Sequence, residues 1–74
     1  MLLKLVYLDS FSIFSNAKDI TLYKDEYKNI ILGVQYADGN NRQYVISKWE
    51  KDHYEDECSA FLMNDKGETI EKIR

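Results

Sequence analysis

The residue types best suited to chemistry are concentrated in one segment, residues 49–58, which holds the chain's single histidine, its single cysteine and five carboxylates. Catalysis by a cysteine nucleophile requires a base such as histidine within hydrogen-bond reach. The separation of five residues between His53 and Cys58 places the side chains about 140° apart on a helix and on opposite faces of a strand. The spacing therefore argues against a Cys–His enzyme, and we predict no catalytic residue.

Metal and cofactor sites are not predicted either. Structural zinc sites use several Cys or His ligands at short paired spacings, whereas this chain has one residue of each type. The loop that begins at Asp38 resembles a calcium loop only until Arg42, a cation where an oxygen ligand is required. Gly33, Gly39 and Gly67 are isolated, so no phosphate-binding glycine motif is present.

The same segment contains the chain's excess of negative charge. Five carboxylates and one lysine give residues 49–58 a charge of −4, while the other eight acids and nine bases give the remainder +1. One interpretation is a solvated charge run that keeps a small sheet soluble. The other is a binding surface, where aromatic side chains supply energy and carboxylates steer the approach of a basic partner. The predicted partner-binding residues are Trp49, Glu50, Asp52, His53, Tyr54, Glu55, Asp56 and Glu57.

We expect a non-enzymatic accessory or inhibitory module that binds another protein through this acidic and aromatic surface at residues 49–57. A basic nucleic-acid-handling protein fits best, because carboxylates can occupy its groove in place of phosphates. The residue bias of the chain suggests an A/T-rich coding sequence, and the expected source is a bacterial-type cytoplasm or the gene set of a mobile element such as a phage. The first alternative is a homo-oligomeric structural subunit whose exposed sheet edge pairs with copies of itself. A second is a single-stranded nucleic-acid binder, although the net charge of −3 and the scattered bases argue against direct binding.

Seventy-four residues predict one domain, residues 1–74. A single cysteine excludes an internal disulfide framework and favours a reducing compartment. The apolar stretch at residues 2–8 is too short to span a membrane and lacks the features of a signal peptide. We therefore predict a cytoplasmic protein without a membrane partner.

The sequence predicts a mainly β fold, a small antiparallel meander or partly closed barrel of about five strands. An α+β fold is the alternative. The clearest element is a hairpin of residues 30–37 and 43–49 around the turn 38–41. A two-residue or four-residue loop would pair Val34 with Val45 and place five side chains on the core face. These are Ile30, Leu32, Val34, Val45 and Trp49.

Other elements are predicted with alternatives. Residues 2–8 form a central strand, because they are apolar on both faces except at Lys4. Residues 60–63 and 68–73 form a second hairpin, whose turn at 64–67 ends in a left-handed glycine. Residues 19–32 are extended, with a helix as second choice. Residues 53–63 form either one short helix or a loop followed by a strand.

Overall fold

The computed structural model describes residues 1–55 and 58–74. The described chain forms eight strands and no helix, so the prediction of a mainly β fold is confirmed, with more strands than expected. The predicted binding residues Asp56 and Glu57 lie outside the described part. The strands are β1 (Leu2–Tyr7), β2 (Ser10–Phe14), β3 (Ala17–Lys24), β4 (Ile30–Tyr36), β5 (Asn41–Glu50), β6 (His53–Glu55), β7 (Ser59–Met63) and β8 (Thr69–Lys72).

The strands form two antiparallel sheets of four, in the orders β2-β1-β7-β8 and β3-β4-β5-β6. Strand β1 lies between β2 and β7, as its two apolar faces predict. Both sheets contribute to one core, and the sheets do not close into a barrel. The buried residues of this core are Leu3, Ala17, Ile30, Leu32, Val34, Ile46 and Ala60.

Three hairpins of the described chain share one loop design. In the β4–β5 hairpin, the Tyr36 N–H donates to the Asn40 carbonyl at 2.8 Å and the Gly39 N–H donates to the Tyr36 carbonyl at 3.0 Å. Gly39 has φ +91°, so the loop is a type I turn followed by a left-handed residue. The same two bonds join Asp25 to Asn29 and Asn64 to Glu68. The predicted turn at 64–67, with left-handed Gly67, is therefore confirmed.

The three-residue loop changes the predicted register of the β4–β5 hairpin. Val34 pairs with Arg42 instead of Val45, and Leu32 pairs with Tyr44. The shift is an odd number of residues, so the predicted faces of β5 are exchanged. Val45 is 61% exposed and its prediction as core is wrong, whereas Ile46 is only 1% exposed. Burial of the three predicted core residues of β4 is confirmed.

A β-bulge near the end of β5 then returns its side chains to the faces that the sequence predicts. The register shifts between Ile31 and Ile30, and Ile30 pairs with Ser47. The bulge lets Ile46 and Ser47 both lie in the buried layer. Trp49, two residues beyond Ser47, consequently stays on the core side and is half-buried.

Neither of the helices considered from the sequence is present in the described chain. Residues 19–32 form β3, a loop and the start of β4, so the extended prediction is confirmed and the helical one is wrong. The Asp25 carboxylate accepts the backbone N–H groups of Tyr27 and Asn29, at 2.9 Å each, which stabilises a turn in the middle of that segment. The described part of residues 53–63 is also extended, as β6 and β7, so the short helix and the α+β alternative are wrong.

Candidate functional site

The acidic segment begins as a tight hairpin at the edge of the second sheet. Strand β6 pairs with the end of β5, so that Trp49 faces Tyr54 and Glu50 faces His53. The two turn residues, Lys51 and Asp52, have φ of +48° and +70°. Positive φ at both positions is typical of the type I′ turn, whose twist matches that of a hairpin. The hairpin therefore displays residues 49–55 in a defined geometry.

The two aromatic side chains anchor this hairpin to the rest of the protein. Trp49 and Tyr54 make an edge-to-face contact, with ring centroids 4.8 Å apart and planes at 70°. The Lys28 ammonium lies 5.6 Å from the Trp49 ring, and the Arg74 guanidinium lies 5.5 Å from the Tyr54 ring. The backbone N–H of Trp49 also donates to Asn29 Oδ1 at 2.9 Å. Both rings are half-buried, so their main contacts are within the chain.

The carboxylates lie on the other face of the hairpin. Side chains alternate along a strand, and Tyr54 packs towards the core, so Glu50, His53 and Glu55 point to the opposite side. Asp52 is exposed in the turn. The predicted site is therefore divided, with the aromatic residues inside and the carboxylates outside. It does not form one mixed surface.

Two of the three described carboxylates have partners within the chain. Glu50 lies 3.9 Å from the Lys48 ammonium, and the Glu55 carboxylate lies 2.9 Å from His53 Nε2. All four side chains are substantially exposed, so these pairs contribute little to stability. They do lower the excess of negative charge that residues 49–55 present to a partner.

His53 and Cys58 form hydrogen bonds with different partners. His53 Nδ1 donates to the Lys51 carbonyl at 3.1 Å, and Nε2 binds Glu55. The bond to Glu55 and then the bond to the Lys51 carbonyl raise the pKa of His53. Cys58 is half-buried, its thiol lies 3.6 Å from the Ser59 carbonyl, and burial raises the pKa of the thiol. A raised pKa disfavours the reactive thiolate.

Sequence reasoning missed a second surface, the free edge of β2. This strand pairs with β1 on one side, and its side chains are largely exposed, including Phe11 at 62% and Ile13 at 49%. Leu8, in the turn before it, is 82% exposed and has φ +53°. The signal is present in the sequence, because residues 10–17 contain no charged side chain.

The other edge strands of the described chain differ from β2 in charge. An uncharged, exposed edge offers unpaired backbone groups to another strand, and proteins usually protect such edges with charges, proline or bulges. The described chain protects three of its four edges with charged or titratable residues. β3 contains Lys18, Asp19 and Lys24, β6 contains His53 and Glu55, and β8 contains Glu71 and Lys72.

One end of β2 borders an aromatic cavity between the two sheets. Phe14 contacts the Tyr44 ring at 5.2 Å between centroids, and the Tyr36 and Tyr44 hydroxyls are 2.8 Å apart. Burial, together with this hydrogen bond, raises the pKa of Tyr36 to about 12. Arg42 and Ser15 line the same cavity. A cation therefore lies close to the end of the uncharged strand.

Two features are absent from the residues that the structure describes. No group of three or more His, Cys, Asp or Glu side chains is arranged to hold a metal ion. Within the same residues, no helix has the length and apolar character needed to cross a membrane.

Comparison of the chain with known protein families, with curated proteins and with solved structures gives no match in any of the three.

Proposed function

We propose that the protein is a non-catalytic module that binds other protein chains by strand addition at the free edge of β2. The observation that carries this proposal is the combination of an edge with which no other described strand pairs, no charged residue in the strand, and two exposed apolar side chains, Phe11 and Ile13. In strand addition, main-chain hydrogen bonds supply affinity and alternate side chains supply selectivity. Phe11 and Ile13 are two residues apart and lie on one face, as such recognition requires.

The outer face of the β5–β6 hairpin is the second candidate, for a partner with a basic surface. Asp52 and Glu55 are exposed and Glu50 is partly exposed, and the three lie in one short hairpin, which supports electrostatic recognition of cationic side chains. The inner face supplies no accessible aromatic anchor, because Lys28 and Arg74 lie over the two rings. This surface therefore favours fast, salt-sensitive binding over high affinity.

An accessory or inhibitory role in the cytoplasm of a phage or mobile-element host is part of this proposal. Its support is the single free cysteine, which suits a reducing compartment, and the excess of lysine over arginine in the composition.

Affinity capture from the native cell, followed by mass spectrometry, tests both surfaces with matched variants. Ile13→Lys places a charge on the β2 edge, and Ile70→Lys places the same charge on the exposed isoleucine of β8. We expect Ile13→Lys to lose the chains captured by the wild type and by Ile70→Lys. Undiminished capture by Ile13→Lys would overturn the β2 proposal. Loss in a Glu50→Gln, Glu55→Gln double variant alone would transfer the function to the hairpin.

A further inference from the structure

The β2 edge is complementary to itself. The strand reads Ser-Phe-Ser-Ile-Phe from Ser10 to Phe14. In an antiparallel pair of two such strands centred on Ser12, Phe11 of one copy lies opposite Ile13 of the other, and Ser12 lies opposite Ser12. The side chains that are 62% and 49% exposed then cover each other on one face. Cross-strand pairs between aromatic and β-branched residues are among the favourable ones in sheets.

Charge determines which edge two copies can share. Each copy carries a net charge of −3, so two copies repel at most of their surface. Pairing of β2 with β2 brings together strands that contain no charged side chain of their own. One charge lies beside the strand, because the Lys4 ammonium of β1 is 4.8 Å from the Phe11 ring. Pairing at β3 would instead bring its lysines and aspartate together with those of the second copy.

The ends of the same pairing carry opposite charges. Antiparallel alignment brings the turn that contains Asp9 next to the Ser15 end of the second copy's strand. Arg42 lines the cavity beside Ser15. Asp9 and Arg42 are both exposed, and neither forms an ion pair with a described residue of its own chain. The twofold axis through Ser12 would bring Asp9 of each copy towards Arg42 of the other.

We infer that the occupant of the β2 edge is a second copy of this chain, paired as antiparallel β2 strands about a twofold axis at Ser12. The inference rests on the proposed binding function of β2 and names its partner. The β2-β1-β7-β8 sheets of the two copies then form one continuous sheet of eight strands. The interface is isologous and uses the β2 edge of both copies, so the assembly closes as a dimer instead of growing into a fibre.

Disulfide trapping tests the register directly. In a Cys58→Ala background, Ser12→Cys places two thiols opposite each other, at the Cα separation of about 4.5 to 5.5 Å that a disulfide accepts. Ser10→Cys is the matched control, because Ser10 lies opposite Phe14 and its own symmetry mate is several residues away. We expect Ser12→Cys, and not Ser10→Cys, to form a covalent dimer under mild oxidation. Equal trapping of both, or of Ser10→Cys alone, would overturn the register.

Sedimentation of uncrosslinked protein over a range of concentrations tests the dimer and the proposed ionic contact between Asp9 and Arg42. We expect a dimer for the wild type and for Ile70→Lys, and a monomer for Ile13→Lys. Asp9→Arg and Arg42→Asp each raise the dissociation constant about tenfold, because every dimer contains two such pairs, and the double variant restores it. Failure of the double variant to restore affinity would remove the ionic contact from the inference.

A wild-type chain that stays monomeric at all concentrations would overturn the inference. The proposed function has a separate test. If the wild type is monomeric but β2 binds a protein of another sequence, affinity capture by Ile13→Lys should still lose that protein.

Discussion

Trp49 and Tyr54 face each other across the two-residue turn of the β5–β6 hairpin, with their rings 4.8 Å apart and close to perpendicular. The two residues lie in the segment that the sequence predicts to be a binding surface. Their contact with each other, and the cations above them, give them a structural role. The pair fixes the edge hairpin to the core and leaves the carboxylates on the solvent side.

Removal of this contact will destabilise the fold. Trp49→Ala is expected to lower the free energy of unfolding by about 2 kcal/mol, because it removes a half-buried ring and its edge-to-face contact with Tyr54. Tyr27→Ala is the control, since Tyr27 is 70% exposed, and its effect should stay below about 0.5 kcal/mol. Urea denaturation measures both. Equal effects of the two substitutions would contradict the anchoring role.

The register of the β4–β5 hairpin can be tested at two adjacent residues. Ile46→Ala should cost about 3 kcal/mol, because Ile46 is 1% exposed and belongs to the core. Val45→Ala should change the free energy of unfolding by less than about 0.5 kcal/mol, because Val45 is 61% exposed. Chemical denaturation of the two variants gives the comparison. A larger loss at Val45 would support the register with Val34 opposite Val45.

The left-handed glycine of the β7–β8 loop should be destabilised by an added side chain. Gly67 has φ +83° and nothing within 4 Å of an added Cβ, so Gly67→Ala tests backbone strain alone. We expect a loss of about 1 to 2 kcal/mol on this ground. Gly33→Ala is the control, because its φ is not positive and its added Cβ would meet Tyr23 at an ordinary 3.5 Å. Thermal unfolding in which Gly33→Ala is the more damaging change would refute the loop assignment.

The titration of His53 should depend on Glu55. Only the protonated imidazole donates hydrogen bonds from both nitrogens, to Glu55 and to the Lys51 carbonyl, so the fold favours the charged form and raises its pKa. Glu55→Gln should return the pKa of His53 towards its ordinary 6.5, as measured by NMR of the imidazole protons. A pKa unchanged by Glu55→Gln would show that another group causes the shift.

The raised pKa of His53 also predicts the direction in which stability changes with pH. A pKa raised by folding contributes stability that is fully present below the unfolded value of 6.5 and is lost as pH rises through the higher folded value. His53→Gln should abolish this difference between acidic and mildly basic solution. Urea midpoints of the wild type and the variant across that range provide the measurement. A variant that keeps the full dependence would place its origin elsewhere.

Local patterns in the sequence were sufficient for most of the strands. The two apolar faces of residues 2–8 correctly predict a central strand, and Asn64 to Gly67 correctly predicts a turn with left-handed glycine. These features depend on neighbouring residues, which the sequence displays directly. The uncharged stretch of β2 was equally readable, but its importance requires the knowledge that this strand lies at an edge.

By itself, then, the sequence determined a mainly β chain, the turn at 64–67 and the position of its acidic segment. The tertiary structure decided the register of the β4–β5 hairpin. Loops of two, three or four residues fit the same turn composition, and a change of loop length by one residue exchanges the buried and exposed faces of β5. It also decided that residues 53–55 are extended, through pairing with β5. It decided the roles of Trp49 and Tyr54 as well, because Lys28 and Arg74, which lie over their rings, are about twenty residues away along the chain. Contacts at that separation leave no local pattern in a sequence, since they arise only when segments that are distant along the chain come together in the fold.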